Sequence, residues 1–378
     1  MKKILYITNR LNSENKNGAY MGAYKNYIHL KEIFGEDLDE YLIRKESLLK
    51  KIVNTFIFGR LDDINIKNEK EIVNKIKLNN YKYIFFDGSG YGYCIEKIRN
   101  IFEKQQKIII YCHDINYHLF SSLYENAKRN KKILSEIKYK KYIKNSKINE
   151  TKVFNNSDAI ITLNKRDTKI LNQIYEKKSN MEIGVTFPIK EFKIEKIKTN
   201  NKFVLLFVGV GTFLPNIEGI EFFIRNVLSN LDIVFFIVGK DTELYKEKWE
   251  KMNSKVRVLG TVDSLDECYL NADAVITPIF SGGGMKVKTA EALSYGKTIF
   301  GTKEAFEGYE VNYDKVGGLC NTAEEFMKKI NKYIKWWEEN NKPKFNEYSK
   351  TIFKEKYSYE SSLEKFKKLF KELGEEIK

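Results

Sequence analysis

Short apolar segments that end at glycine or at polar residues recur along this chain, and stretches with helical spacing separate them. In the first half these segments are 3–8, 83–86, 107–112 and 159–163; in the second half they are 203–208, 233–238, 256–259, 274–278 and 298–301. Strands that alternate with helices in this way indicate parallel sheets. Because 378 residues are too many for one ordinary core, we predict an α/β fold of two Rossmann-like domains in tandem. Ligands are expected at the carboxyl ends of the strands, in a cleft between the domains.

The boundary between the two sets of strands is predicted at residues 185–202, where Val185-Thr-Phe-Pro188 leads into a polar stretch. We therefore assign residues 1–188 to an N-terminal domain and residues 189–358 to a C-terminal domain. The tail, 359–378, is predicted to contain an amphipathic helix, because apolar residues recur in it at helical spacing. These residues are Leu363, Phe366, Leu369, Phe370 and Leu373.

The net charge of +15 is concentrated in the first half, where residues 1–190 carry 36 Lys and Arg against 22 Asp and Glu. The second half is nearly neutral and the chain has no aromatic-basic RNA motif, so nucleic-acid binding is not predicted. Four scattered cysteines and only three histidines argue against disulfides and against a metal site.

Residues 128–152 carry ten basic residues and two acidic ones, with isoleucine, leucine and tyrosine interspersed. This mixture is typical of a helical surface that lies against anionic headgroups, and equally of a solvated lysine-rich helix. No apolar run approaches the roughly 20 residues that span a bilayer, and the N-terminal apolar stretch is too short for a signal peptide. We expect a cytoplasmic protein, either soluble or peripheral on the inner face of the cell membrane through residues 128–152.

The most specific motif runs from 274 to 297, where a buried strand feeds the loop Ser281-Gly-Gly-Gly284 and the loop feeds a helix. Glycines let the backbone approach a ligand closely, and a helix N-terminus favours anions such as a diphosphate. Lys286 and Lys288 add two cations at that end, which we expect to be solvated until an anion binds. Glu291 lies about one turn further on, where it can accept hydrogen bonds from ribose hydroxyls. The pattern predicts a nucleoside diphosphate site.

At residues 203–308 the sequence resembles the donor-binding half of GT-B glycosyltransferases, close to the family-4 type. The matching pieces are Leu206-Phe-Val-Gly-Val-Gly211, Leu214-Pro-Asn216 with Gly219, Ile237-Val-Gly239, Val258-Leu-Gly260, Asp273-Ala274, the segment 281–291 and Ala305-Phe-Glu-Gly308. The first half matches at Gly18, Gly22, His113-Asp114 and Ser157-Asp-Ala-Ile-Ile161. The resemblance also implies that the C-terminal helix crosses back to the first domain.

The resemblance implies a metal-independent hexosyltransferase that moves a sugar from a nucleotide-diphosphate donor to a glycan or lipid-linked acceptor, in the synthesis of cell-surface polysaccharide or glycoconjugates. The nucleotide sugar is a substrate, so no cofactor is expected. The implied donor-binding residues are Gly209, Gly211, Thr212, Gly239, Gly283, Gly284, Met285, Lys286, Lys288 and Glu291. The implied acceptor-binding residues are Gly18, Gly22 and Asp87.

His113 and Asp114 are the catalytic candidates, because they end a buried strand that faces the expected cleft. If the enzyme inverts, Asp114 is the better general base; if it retains, the donor phosphate takes the proton and His113 helps to hold the sugar. Two features depart from the family pattern. Gly283 replaces the first of two glutamates eight positions apart, and Val210 and Asn216 fall near the positions where an arginine and a lysine are usual.

Two other functions stay open: a nucleotide-sugar epimerase of the same fold, and a non-catalytic GT-B subunit that binds glycans or chaperones a partner. Two motifs are set aside. Asp37-Leu-Asp39 has the DxD form of metal-dependent glycosyltransferases of another fold, but no strand precedes it and it is predicted to be a solvated loop. Gly209-Val-Gly211 is half of a dinucleotide fingerprint whose third glycine is replaced by Leu214, which argues against NAD.

Overall fold

The computed structural model describes residues 3–11, 18–43, 53, 55, 59, 64–129, 131–190 and 202–377. The chain divides into two compact units: the first comprises Met1–Gly184 with Leu363–Lys378, and the second comprises Val185–Ser362. Most of the predicted polar linker, residues 191–201, lies outside the described residues.

The first unit contains a six-stranded parallel sheet in the order β2-β1-β3-β4-β5-β6. Its strands are β1 (Ile4–Thr8), β2 (Leu38–Leu42), β3 (Tyr83–Phe86), β4 (Lys107–Tyr111), β5 (Ala159–Thr162) and β6 (Met181–Glu182). The helices described between them are α1 (Gly18–Phe34), α2 (Ile66–Asn79), α3 (Gly92–Phe102), α4 (Asn116–Arg129), α5 (Ile133–Asn155) and α6 (Lys165–Tyr175).

The second unit contains another six-stranded parallel sheet, in the order β12-β11-β10-β7-β8-β9. Its strands are β7 (Phe203–Val208), β8 (Ile233–Val238), β9 (Val256–Gly260), β10 (Ala274–Thr277), β11 (Thr298–Gly301) and β12 (Gly317–Leu319). Its helices are α7 (Leu214–Asn226), α8 (Lys246–Met252), α9 (Asp266–Asn271), α10 (Val287–Ser294), α11 (Tyr313–Val316), α12 (Ala323–Glu339) and α13 (Glu347–Ile352).

Strands β1, β3, β5, β7 and β10 are buried along their whole length. Parallel strands covered on both faces carry continuous apolar runs, which is why these segments were recognisable in the sequence. The prediction of an α/β fold with two Rossmann-like domains in tandem is confirmed. The predicted bounds of β7, β8 and β11 are those of the structure.

The strand order of each sheet reverses between two neighbouring strands, β1 and β3 in the first unit and β7 and β10 in the second. At such a point the connections after the two strands leave toward opposite faces of the sheet. A crevice therefore opens at the carboxyl ends of the two strands, and ligands of open α/β sheets bind there. A ligand site is therefore expected among the residues that follow these four strands.

The last helix, α14 (Tyr359–Glu372), returns the chain to the first unit, as the resemblance implied. Its predicted apolar stripe is the face that packs. The Phe370 ring meets Phe34 and Tyr83 edge to face, with ring centroids 4.8 and 5.2 Å apart. The Phe366 ring lies 6.1 Å from that of Phe85 and is fully buried.

One local prediction was wrong. The acidic run around Asp37-Leu-Asp39 is not a solvated loop: Gly35–Asp37 form a helical turn and β2 starts at Leu38. Asp39 accepts a hydrogen bond from Tyr81 and forms an ion pair with Lys75 at 2.8 Å. The basic tract, 128–152, lies on two helices, the end of α4 and most of α5. Among the described residues, no helix combines the length and the apolar character needed to span a membrane.

Candidate functional site

In the second unit, the loops after β7 and β8 pack so closely that two of the predicted donor-binding glycines have a structural reason. A Cβ added at Gly209 would lie 2.8 Å from Asn216 Nδ2 and 2.9 Å from Lys288 Nζ. One added at Gly211 would lie 2.3 Å from the carbonyl oxygen of Asp241. Glycine therefore lets the backbone after β7 approach both the second loop and Lys288.

Gly239 and Thr212 complete this part of the site. Gly239 has a φ of +137°, and a Cβ there would lie 2.2 Å from the carbonyl oxygen of Gly209, so only glycine fits. Thr212 is exposed just before α7. The structure thus brings Gly209, Gly211 and Gly239 together and leaves the Thr212 side chain accessible at the same edge of the sheet.

The three-glycine loop after β10 leads into α10, as predicted, and the helix begins at Val287. Gly282 and Gly284 have φ values of +137° and +56°, which explains glycine at both positions. Gly283 is partly buried and Met285 is buried. The Tyr309 hydroxyl donates to the Lys286 carbonyl at 2.8 Å and accepts from the Ala290 N–H at 3.1 Å, so it supports the first turn of α10.

Lys286 is not solvated, contrary to the prediction. Its Nζ forms an ion pair with Glu304 at 2.6 Å and donates to the carbonyl oxygens of Gly283 and Gly284, each at 3.1 Å. The ammonium therefore holds the glycine loop in shape, with its charge already balanced by a carboxylate.

Lys288 is also not solvated, and it differs from Lys286 in having a neutral partner. Its Nζ donates to Asn216 Oδ1 at 2.6 Å and lies 4.1 Å from the centre of the Phe207 ring. Burial and the neighbouring Lys286 lower the pKa of Lys288 to about 7, although Glu291 acts in the opposite direction. At neutral pH this amine is ready to gain a proton when an anion arrives.

Glu291 lies in a polar cluster formed by the end of its own helix and by two other segments of the second unit. Its Oε2 accepts a hydrogen bond from the Tyr269 hydroxyl at 2.9 Å, and burial raises its pKa. The Tyr269 ring stacks on Tyr295 with centroids 4.2 Å apart. Asp266 accepts hydrogen bonds from Tyr295 and from Lys190, the latter at 2.7 Å. The cluster fixes the position of the Glu291 carboxylate on α10.

In the first unit, a pocket of about 250 Å³ opens where β1, β3 and β4 end. It combines amide, hydroxyl, charged and aromatic groups. Its lining residues are Asn9, Arg10, Thr55, Gly88, Ser89, Gly90, Tyr91, His113, Asp114, Asn116, Phe120 and Tyr142. Both predicted catalytic residues, His113 and Asp114, are among them.

Asp87 lies beneath His113, fully buried, and does not itself line the pocket. Its carboxylate accepts hydrogen bonds from His113 Nε2 at 2.9 Å, Asn26 Nδ2 at 2.8 Å and Thr8 Oγ1 at 3.0 Å. Burial alone would raise the pKa of Asp87, but His113, Arg10 and Asn26 more than offset it and hold the pKa at about 2. Asp87 is therefore ionised and can only accept hydrogen bonds.

His113 is oriented by that carboxylate. Burial and the nearby Arg10 lower the pKa of His113, against the opposing effect of Asp87, so the imidazole is neutral at pH 7. Because Asp87 only accepts, Nε2 must carry the proton and Nδ1 is left as an acceptor. A Cβ added at Gly22 would lie 3.2 Å from Nδ1 and 3.0 Å from Cε1, so a side chain at this position would crowd this edge of the ring. Gly18 begins the same helix, α1.

A second buried carboxylate, Glu150, lies behind the pocket and was missed from the sequence. It accepts hydrogen bonds from Ser89 Oγ at 2.9 Å, from Tyr175 at 2.6 Å and from the N–H groups of Asn116 and Tyr117, which begin α4. Burial raises its pKa to about 7 against these donors. Glu150 thereby fixes the loop that carries Ser89 and the start of α4.

Several residues that matter here were not predicted, because their partners are far away in the sequence. They are Arg10, Asn26, Ser89, Asn116, Glu150, Tyr269, Glu304 and Tyr309. Arg10 and Ser89 had one usable signal, since each follows closely after a strand at a point where the strand order reverses. Among the described residues, no group of three His, Cys, Asp or Glu is arranged to hold a metal ion.

Known proteins share parts of this sequence and the fold of the whole chain. Residues 202–335 match the family described as glycosyl transferases group 1. An uncharacterized glycosyltransferase of Methanocaldococcus jannaschii is 29% identical over 208 residues, which cover 51% of this chain and 51% of that protein. The chain thus matches about half the length of this curated relative.

Solved structures resemble the whole chain in fold. Sucrose-phosphate synthase from Thermosynechococcus elongatus aligns with a TM-score of 0.71 at 12% identity, covering 99% of both chains. A glycosyltransferase from Rickettsia africae gives 0.66 at 14% identity, covering 99% of both. Anabaena HepE in complex with UDP and glucose gives 0.61 at 14% identity, covering 98% of this chain and 100% of that one. At these identities the likeness shows a shared fold.

Proposed function

We propose that this chain, whose residues 202–335 match the glycosyl transferases group 1, transfers a sugar from a nucleotide-diphosphate donor to a glycan or lipid-linked acceptor. The observation that carries the proposal is the group of side chains where β7 and β10 meet. A glycine loop leads into α10, and this helix carries a lysine whose ammonium has an uncharged partner and a carboxylate that is held by a tyrosine. These groups suit a diphosphate and a ribose in that order.

The donor site is proposed to divide the work between its two lysines. Lys288 binds the diphosphate, because it alone of the two has no carboxylate partner at its ammonium. Lys286 keeps the glycine loop in the conformation that receives the phosphates. Glu291 accepts hydrogen bonds from the ribose hydroxyls. The complex of Anabaena HepE with UDP-glucose, in a protein of the same fold, supports a nucleotide sugar as the ligand.

In the first unit, the proposed role of His113 is to accept a hydrogen bond from a sugar hydroxyl at Nδ1, since Nε2 is committed to Asp87. Asp114 lines the same pocket and is proposed as the general base if the reaction inverts. If the reaction retains configuration, the departing diphosphate takes the proton of the acceptor hydroxyl. In both cases charge on the leaving diphosphate is stabilised by Lys288 and the start of α10.

A thermal-shift panel with UDP, GDP, CDP and ADP sugars tests the proposal. One member at about 100 times its Kd should stabilise the fold by roughly 2.7 kcal/mol. An acceptor-dependent release of the nucleoside diphosphate should follow with that donor. A change of the sugar without any acceptor would instead indicate an epimerase. Binding without any turnover would indicate a non-catalytic subunit, and no shift with any nucleotide would overturn the proposal.

Replacing Glu291 with glutamine should weaken binding of the selected nucleotide sugar by about 10- to 100-fold. Hydrogen bonds to charged groups are worth about 1.5–3 kcal/mol, and glutamine keeps the shape while losing the charge. Isothermal titration calorimetry measures the change. Glu267→Gln, an exposed glutamate on the neighbouring helix α9, is the matched control and should bind normally. Equal affinities for both variants would remove Glu291 from the site.

Sugar transfer should continue unchanged in EDTA. The proposed groups that stabilise the leaving diphosphate are Lys288, backbone N–H groups and the start of α10, so no metal is needed for that role. Transfer is measured after dialysis against chelator, with and without added magnesium or manganese. A loss in EDTA that either metal restores would show that the diphosphate is neutralised by an ion.

We also propose that α5 attaches the enzyme to anionic membranes, where a lipid-linked acceptor would be found. Its first turns expose three large apolar side chains: Ile133, Leu134 and Ile137, of which Leu134 is 85% exposed. Exposed basic residues surround them on α4, α5 and the connection between the helices. They are Lys128, Arg129, Lys131, Lys132, Lys138, Lys140 and Lys144. Apolar groups within a basic surface are the pattern of an interfacial helix.

The chain should therefore sediment with vesicles that contain phosphatidylglycerol, and added salt should release it. Each basic residue near such a surface contributes about 1 kcal/mol, so reversing Lys131, Lys132, Lys138 and Lys140 to glutamate should abolish sedimentation. Nucleotide binding should be unaffected. A matched control reverses four other exposed lysines of the first unit, Lys67, Lys70, Lys77 and Lys104. No sedimentation of the wild type at low salt, or equal losses in both variants, would leave α5 as ordinary surface.

A further inference from the structure

Arg10 is a charged residue of the pocket that has no role in the sugar transfer proposed above. It follows β1 at the point where the strand order of the first sheet reverses, and it lines the pocket beside Asn9. Its backbone N–H donates to Thr8 Oγ1 at 3.1 Å, which fixes the turn after the strand. Within the described part of the chain, its guanidinium forms no hydrogen bond and no ion pair, although it is only partly exposed.

The two buried carboxylates near the pocket are engaged by other donors. Asp87 accepts from Thr8, Asn26 and His113, and Glu150 accepts from two hydroxyls and two backbone N–H groups. Arg10 lowers the pKa of both Asp87 and His113 through its charge, so it is close to them without bonding either. Five N–H donors in a planar fork are thus left to face the pocket.

The volume and the other lining residues of the pocket match a single sugar ring. The volume of about 250 Å³ is below the roughly 300–1,000 Å³ of sites for drug-sized ligands. The side chains of Asn9, Ser89 and Asn116 offer polar contacts to hydroxyl groups, and the rings of Phe120 and Tyr142 meet edge to face with centroids 5.0 Å apart. Polar groups beside an aromatic wall match the hydroxyls and the C–H face of a sugar.

From this arrangement we infer that the acceptor sugar carries a carboxylate or a phosphate, which Arg10 binds in the first-unit pocket. A guanidinium fork matches the planar oxygens of both groups and forms two parallel hydrogen bonds with them. Asp114, the other charged residue of the lining, repels such a group and prefers a hydroxyl. The two charges therefore orient the sugar, with its anionic group on Arg10 and a hydroxyl toward Asp114. This inference rests on the proposed sugar transfer and narrows its acceptor class.

The test uses the full chain and three monosaccharide probes: glucuronate, glucose 6-phosphate and neutral glucose. Saturation-transfer NMR and competition titrations should show that at least one anionic sugar binds about tenfold or more tightly than glucose. The two anionic probes distinguish a carboxylate from a phosphate. Arg10→Gln should abolish the preference while leaving glucose binding unchanged, and Arg10→Lys should retain part of it because the charge remains without the fork.

Arg225→Gln, on the exposed face of α7 in the second unit, is the matched control and should keep the preference. Nucleotide binding is measured in the same samples, since it depends on the second unit. A wild-type chain that binds nucleotide but gives equal signals, or none, with anionic and neutral sugars overturns the inference and leaves the proposed function standing. An Arg10→Gln variant that still prefers the anionic sugar overturns it as well.

Discussion

Replacing Lys288 with methionine is expected to weaken binding of the nucleotide sugar about 10- to 100-fold and to remove its dependence on pH. The lost contact is a hydrogen bond to a charged group, worth about 1.5–3 kcal/mol. In the free protein the pKa of Lys288 is about 7, and a bound diphosphate raises it because the anion favours the charged amine. Binding therefore takes up a proton, and wild-type affinity should fall as the pH rises above 7.

Calorimetry in buffers of different ionisation enthalpy measures both quantities, the affinity and the proton uptake. Methionine keeps the length and the apolar contact with the Phe207 ring, so the fold should survive. Lys303→Met, which removes an exposed lysine from the same unit, should leave the affinity and its pH dependence as in the wild type. Persistent proton uptake in Lys288→Met would show that another group charges when the diphosphate binds.

Replacing Asp87 with asparagine is expected to slow sugar transfer about 100-fold or more while nucleotide affinity stays unchanged. The ionised Asp87 selects the tautomer of His113 that carries its proton on Nε2 and leaves Nδ1 as an acceptor. An asparagine amide offers both a donor and an acceptor, so it no longer enforces that tautomer. Loss of one preorganised polar group at a reacting centre typically costs about 100- to 1,000-fold in rate.

The tautomer of His113 is read directly from the nitrogen shifts of its ring by NMR, a signal that general destabilisation would not move. Thr8→Val is the control, because it removes a hydrogen bond to the same carboxylate without removing its charge. It should cost stability and leave the tautomer intact. Asp87 does not act through His113 if the Asp87→Asn variant transfers sugar at the wild-type rate. The same conclusion follows if Thr8→Val slows sugar transfer as much as Asp87→Asn does.

The strands were the best predicted part of the fold, for a physical reason. Strands of a parallel sheet are buried on both faces, so each is an uninterrupted apolar run such as 203–208 or 233–238. β2 was missed because it lies at the edge of its sheet and, after the buried Leu38, alternates partly buried with exposed residues, including Asp39 and Glu40. Its polar sequence looks like a loop until its parallel pairing with β1 is seen.

The glycines of the second unit illustrate how much of a site the sequence contains. Their clustering at strand ends predicted a place where the backbone approaches a ligand. The structure adds that Gly209 and Gly239 are also required by the protein itself, since a side chain at Gly239 would run into the backbone of Gly209. The pattern therefore located the edge of the sheet correctly but did not separate the needs of packing from those of binding.

The different roles of the two lysines before and in α10 could not be inferred from the sequence. Lys286 and Lys288 are two residues apart, and the sequence treats them alike. Glu304 pairs with the first and Asn216 with the second, and these partners lie 18 positions after and 72 positions before them. Which lysine keeps its charge available depends on those partners, and hence on the packing of the loops around α10.

The order of strands and loops along the chain was determined by the sequence, because the burial of each strand and the bends of its glycines are local properties. The charge state, the position and the availability of the polar groups in the site were decided only by the tertiary structure. Asp87 sets the tautomer of His113, and Tyr269 sets the position of Glu291. The guanidinium of Arg10 is available to a ligand because other donors already bind the nearby carboxylates. Each of these pairs joins residues at least 22 positions apart, and the free energy of a buried charge depends on which partner the fold places beside it.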